Sequence, residues 1–234
     1  MIGKHKVVSH AEWLEARQQL LLREKAFSRR RDEISRLQRD LPWERVEKEY
    51  VFKGADGPRA LKDLFAGCSQ LIVYHFMFAP DWDEGCKHCS FWADSFNPNV
   101  VHLKARDVSL VAISRAPYPK LEAYEKRMGW SFDWLSSADT DFNFDYGASF
   151  TSEEQASEGF YNYTTHLQPD SDVVGVSVFY QDDSGNLFHT YSTYARGVDL
   201  FNTAYNYLDI VPGGRDEEGR HPQYWVRRHD EYPT

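Results

Sequence analysis

Two thiols separated by two residues, Cys86-Lys87-His88-Cys89, form the segment of this chain best equipped for chemistry. The apolar, aromatic run at 71–78 reads as a buried strand, 79–85 as a loop, and 90–96 as a helix. A helix start carries partial positive charge and unpaired N–H groups, which stabilise a thiolate on the first cysteine. The second thiol can then close a disulfide. This layout makes Cys86 the attacking thiolate and Cys89 the resolving thiol, working on a thiol, disulfide or peroxide substrate, with an external thiol reductant to reset the pair. Protonated His88 and Lys87 favour the thiolate, whereas Asp83 and Glu84 oppose it.

Other side chains offer rival or accessory chemistry. Cys86, His88 and Cys89 are three soft or borderline metal donors, and His75 or His102 could complete a tetrahedral site. A structural zinc site needs a second ligand pair with its own spacing, and the sequence shows none. His88 and Cys89 would also point in different directions from one helix. The expectation is therefore no metal and no cofactor. His75, mid-strand among apolar residues, reads as a core histidine satisfied by a neighbour, with a catalytic role as second reading. His189 and Arg196 flank a hairpin end that can approach the cysteine loop and bind an anionic or peroxide substrate; a structural salt bridge explains them equally well. Trp82 can gate access to the thiols. The aromatic segment 141–163 covers an apolar pocket or caps the core. Cys68 reads as a buried small residue.

The bulk composition narrows the classes. The chain has 234 residues, 15% of them aromatic, enough for a substantial core. Its 27 basic and 36 acidic residues give a net charge of −9, which disfavours nucleic acid as the main ligand. The basic cluster 23–31 reads as a solvated helix face. No apolar run approaches the roughly 20 residues of a membrane span, and the N-terminal residues lack a secretory core. Three cysteines are too few for a disulfide-stapled fold. A cytoplasmic location is expected.

The elements that must position the thiols can be read in turn. Ser9 to Glu12 has the form of a capping box opening a long helix that Pro42 ends. Trp13, Leu20, Phe27 and Ile34 recur at intervals of seven, a stripe expected to pack on the parent domain; a homodimer arm is its second reading. Residues 46–53 suggest a partly exposed strand, 56–58 a turn, 60–65 a short helix. Asn97-Pro98 restarts a helix, 108–113 forms a second buried strand, 119–128 a helix stopped by Gly129, and 130–135 a short strand. Residues 139–171 lack a period and read as a loop or insertion. A hairpin at 174–181 and 186–191 and a helix at 199–208 close the domain. The division is an N-terminal helical extension (1–45), a main domain (46–211) and a C-terminal extension packed on it (212–234).

Strand, cysteine helix, strand, helix, antiparallel hairpin and closing helix is the thioredoxin order. The fold expected is α/β and thioredoxin-like: a mixed central sheet flanked by helices, with a long N-terminal helix and an aromatic-rich insertion. The stretches 71–78, Gly85-Cys-x-x-Cys-Ser-Phe91, 114–117, 127–130 and His189-Thr-Tyr-Ser-Thr-Tyr-Ala-Arg-Gly197 closely resemble a bacterial domain-of-unknown-function family with a thioredoxin-like fold. The resemblance covers nearly the whole chain and implies that fold and a redox role, without a substrate. The similarity to peroxiredoxins is partial. Their Pro-x-x-x-Thr-x-x-Cys pattern is unmet, since Pro80 stands six residues before Cys86 and Asp83 three before it. Thioredoxins place a proline before the strand that faces the cysteines, where this chain has Val174-Gly175.

Overall fold

The computed structural model describes residues 5–157, 159–167 and 170–233; residues 1–4, where the segment lacking a secretory core begins, lie outside them. Helix α1 (His10–Arg39) opens on the expected capping box, Glu12 N–H donating to Ser9 Oγ and Ser9 N–H to the Glu12 carboxylate at 3.0 Å. It ends ahead of Pro42, which disfavours helical geometry at the preceding residue. None of its residues is buried. Packing of the stripe on the domain is therefore not what the fold does: Trp13, Leu20, Phe27 and Ile34 are 53%, 51%, 70% and 40% exposed. The helix keeps this apolar side turned outward, and Leu14, Leu21 and Leu37 beside the stripe are exposed as well. Gln38 tethers the helix end by donating to Tyr191 Oη at 3.0 Å.

Short β1 (Glu44–Arg45) and the hairpin β2 (Val51–Gly54) and β3 (Gly57–Ala60) replace the single strand expected at 46–53. A 3-10 turn (Leu61–Phe65) leads to β4 (Gln70–His75), then α2 (Lys87–Ala93), α3 (Asn97–Lys104), β5 (Val108–Ser114), α4 (Tyr118–Met128) and β6 (Asp133–Ser136). Gly129 ends α4 in the left-handed conformation at φ 64°, which a glycine adopts without penalty. The stretch read as a loop instead carries α5 (Phe142–Asp145), α6 (Ser152–Ala156) and the hairpin β7 (Gly159–Tyr161) and β8 (Thr164–His166). Elements of three to five residues are too short to show a period. The closing part is β9 (Gly175–Gln181), β10 (Leu187–Tyr194), a 3-10 segment (Ala195–Phe201) and α7 (Thr203–Leu208), which splits the helix expected at 199–208 at its cap, Asn202.

Among the described residues the main sheet has eight strands in the order β1-β10-β9-β4-β5-β6-β2-β3. Strands β4, β5 and β6 are parallel, β9 runs antiparallel to β4, and β10 antiparallel to β9. The segment β10-β9-β4-β5, with α2 following β4, is the thioredoxin core, elaborated at both edges. Alternation along β4 divides the interior. Val73 and Leu71 face a core with Phe52, Leu64, Phe142 and Phe179. Tyr74 and Phe76 face an aromatic core with Cys89, Trp92, Trp130 and Trp134. Past α7 the chain returns to that second face, burying Val226 completely and setting Trp225 edge-on to Phe91.

Candidate functional site

The loop that delivers Cys86 is pinned at both ends. Cys86 N–H donates to the Met77 carbonyl at 3.0 Å, so the chain folds back on the segment leaving β4. Gly85 is pressed against the core: a Cβ there would lie 2.8 Å from Phe76 Cε1 and 3.2 Å from Tyr124 Cε1, so only glycine fits without displacing rings. Its carbonyl accepts from Arg228 Nη2 at 2.8 Å, and Arg228 Nε donates to Tyr124 Oη at 2.6 Å. Tyr124 Oη is also hydrogen bonded to Ser90 Oγ at 2.9 Å, and Ser90 donates to the Cys86 carbonyl at 2.9 Å. Glu84, one residue earlier, pairs with Arg127 at 2.5 Å and Arg228 at 2.9 Å. The C-terminal segment thus holds the cysteine loop by its backbone.

Cys86 caps the start of α2 and is partly exposed, while Cys89 lies one turn further and is 2% exposed. All three cysteines are free thiols. Met77 N–H points at Cys89 Sγ at 3.4 Å. A hydrogen bond from the Cys89 thiol, with further help from His88 and the Cys89 N–H, holds the Cys86 thiol well below its ordinary pKa despite burial acting the other way. Burial pushes the Cys89 thiol well above its own, and the neighbouring Cys86 adds to that. The pair is therefore split into one thiolate former and one proton holder.

Cys86, His88 and Cys89 share the wall of a cleft of about 300 Å³ with Met77, Trp92, Val174 and Val198. Tyr74, Ala195, Arg196, Asp199 and Gln223 complete the lining. Val174 stands where thioredoxins carry their proline, and its carbonyl accepts from Tyr161 Oη at 2.9 Å. Trp92 is fixed by donating to the Val198 carbonyl at 2.8 Å.

The residues singled out in the sequence divide between two places. His88 and Arg196 join the cysteines at the cleft, with Arg196 paired to Asp199 at 3.1 Å. Trp82 packs on the aromatic core and is absent from the cleft lining; its carbonyl accepts from Lys120 Nζ at 2.7 Å. His75 and His189 lie on the other face of the sheet, because β4 alternates and Tyr74, not His75, faces the thiols. His75 Nε2 is hydrogen bonded to Ser177 Oγ at 2.9 Å, Ser177 to Ser192 at 2.9 Å, and Ser192 to His189 Nε2 at 2.7 Å. His75 Nδ1 is buried without a partner. His102 sits on α3, and among the described residues no three His, Cys, Asp or Glu side chains cluster to hold a metal. Sequence reasoning missed Tyr124, Val198, Gln223 and Arg228, and met Val174 only as the residue in the proline's place. Only Gly85, adjoining the first cysteine, left a local signal.

Strand order and a dithiol at the helix after the first core strand define a thioredoxin-fold protein. The chain belongs to the family described as bacterial protein of unknown function (DUF899), whose model matches residues 2–232. That is the kind of family the sequence motifs resemble. No curated protein matches the chain. Among solved structures it is similar to peroxidoxin BcpB from Mycobacterium tuberculosis, at 15% identity and TM-score 0.46 over 68% of this chain and 92% of that one. It is also similar to Xanthomonas campestris peroxiredoxin Q (12%, TM-score 0.45, 66% and 87%). A third is the yeast mitochondrial 1-Cys peroxiredoxin (16%, TM-score 0.43, 79% and 83%). The strand order, not these distant likenesses, carries the fold.

Proposed function

We propose that the protein is a dithiol oxidoreductase that reduces a small disulfide or peroxide through Cys86 and Cys89. The observation that supports it is the asymmetry of the pair: an accessible thiol held low at a cleft wall, and a buried thiol held high behind it. Cys86 thiolate attacks one sulfur of the substrate disulfide, forming a mixed disulfide and releasing the other half as a thiolate. Cys89 gives its proton to that leaving thiolate and attacks the Cys86 sulfur, forming Cys86–Cys89 and freeing the second half. With a peroxide, Cys86 takes the terminal oxygen as sulfenic acid, the alcohol leaves, and Cys89 expels water. An external thiol reductant returns two electrons in either case. His88 favours the thiolate; Met77, Trp92, Val174 and Val198 give an apolar seat that suits a small organic substrate.

A Cys89→Ser variant treated with glutathione disulfide separates this from a non-catalytic or metal-binding module. Intact mass should show one glutathione on Cys86 that stays in place, while the native protein passes on to the internal disulfide and Cys86→Ser gains nothing. A Cys89→Ser protein that gains no glutathione, or a Cys86→Ser protein that gains as much as Cys89→Ser, would defeat the reading.

The exposed stripe of α1 fits a second copy of the chain as partner. Trp13, Leu14, Leu20, Leu21, Phe27, Ile34 and Leu37, each 38–70% exposed, present roughly 700 Å² of side-chain surface, close to the roughly 800 Å² each partner buries in a stable interface. Their seven-residue spacing suits helix against helix. A soluble cytoplasmic setting fits this reading, and no described helix is long and apolar enough to cross a membrane.

A further inference from the structure

On the sheet face opposite the cysteines lies a second cavity, of about 260 Å³. Four rings line it, Tyr146, Phe160, Tyr163 and Tyr194, together with Glu44, Asp145 and His189. Its charged lining side chains are both carboxylates, and no lysine or arginine is among them. Two of the three tyrosine hydroxyls are already committed. Tyr163 Oη donates to the Ser192 carbonyl at 2.9 Å, and Tyr194 Oη donates to the Tyr146 carbonyl at 2.7 Å. What these two rings have left to offer is π surface. Phe160 and Tyr163 nevertheless stand 60% and 61% exposed, an open aromatic wall that solvent covers poorly.

The walls are also fixed before any ligand arrives. His189 is bonded on both sides, to Ser192 through Nε2 and to Glu44 through Nδ1 at 3.4 Å. Behind it the chain Ser192, Ser177, His75 reaches the core. Asp145 is held by Lys48 at 2.6 Å and Tyr50 at 2.8 Å. Lys48 also reaches Asp141 at 2.9 Å, so the three carboxylates Glu44, Asp141 and Asp145 still outnumber the one ammonium. Glu44 arrives through the register of β1, which pairs it directly with His189.

We propose that this cavity binds an organic cation, an alkylated ammonium of about the size of choline. Aromatic faces attract such a cation through their quadrupoles, and the carboxylates supply the opposite charge. The site lies away from Cys86, so its failure would leave the redox reading untouched, and the reverse holds too.

The test is a titration of the full-length protein with choline, followed through backbone amide shifts. Its neutral isostere 3,3-dimethylbutan-1-ol and glucose serve as comparisons. Choline should saturate with a Kd of about 1 mM or tighter, shifting Tyr163, Tyr194 and His189. The isostere should bind about tenfold more weakly or worse, and glucose should shift none of these residues. Glu44→Gln, at an exposed side chain, should weaken choline about threefold, and Tyr163→Leu about fivefold. Equal binding of the isostere, a glucose response at the same residues, or a choline Kd unmoved by both substitutions would overturn the proposal.

Discussion

At the scale of single residues, the two cysteines sit one helical turn apart and differ in solvent access, and that difference underlies the roles proposed for them. Cys86 should alkylate with iodoacetamide at a rate nearly flat across neutral pH, because its thiol is held low. His88→Ala should restore a rise with pH at Cys86, since one of the groups favouring the thiolate is gone. Buried His75 supplies a second residue-level prediction. Burial, with His189 nearby, holds it near pKa 3 against an ordinary 6.5. A depressed histidine is neutral in the fold and charged in the unfolded chain at low pH. Its contribution is therefore complete above pH 6.5 and lost as pH falls towards 3, at about 1.4 kcal/mol per unit. Urea unfolding from pH 6.5 downward should show this slope, and His75→Gln should remove about one proton's worth of it. An unchanged slope would mean His75 is charged in the fold. The thiol spacing itself was legible in the chain. The sidedness of His75 and His189 was not, because it depends on where β4 begins its alternation and on a serine pair contributed by β9 and β10.

At the scale of elements, the strongest signals came from long or punctuated segments. The Ser9–Glu12 box, Gly129 and the apolar strand expected at 108–113 stand where local chemistry directs them, and the strand expected at 71–78 forms over Gln70–His75. The segment from 139 to 171 escaped because its helices and strands are held by packing rather than by periodicity. Tyr161 reaching Val174 is an instance. The grip of the C-terminal segment on the cysteine loop is a contact across 143 residues that no local pattern records. Arg228→Ala should leave the Gly85 carbonyl and the Tyr124 hydroxyl without this donor and lower stability by about 2 kcal/mol. Turnover should fall about tenfold with Cys86 acidity shifted, and Arg228→Lys should recover part of both, as a positioning role requires. Lost stability with an unaltered Cys86 pH profile would show that Arg228 only supports the fold.

For the whole molecule, each face of the sheet carries a buried core, and among the described residues α1 leaves a long apolar stripe uncovered. Deleting residues 1–41 should therefore change the unfolding midpoint of the remaining domain little, and should convert a dimer to a monomer in analytical ultracentrifugation. Phe27→Glu in the full chain should do the same. A full-length monomer at about 100 μM would remove the second copy as the partner of this helix. The stripe was visible in the sequence at once; its partner was not, since spacing alone does not say which surface a helix meets.

The central claim is that Cys86 and Cys89 cycle as one redox pair. Equilibrating the protein across glutathione ratios, trapping free thiols by alkylation and locating the labels by peptide mass tests it most directly. The expected result is a reversible two-electron step confined to Cys86 and Cys89 near the cytosolic poise, with Cys68 a free thiol throughout. Two thiols that stay reduced at every ratio, or an oxidised form that joins Cys68, would contradict it.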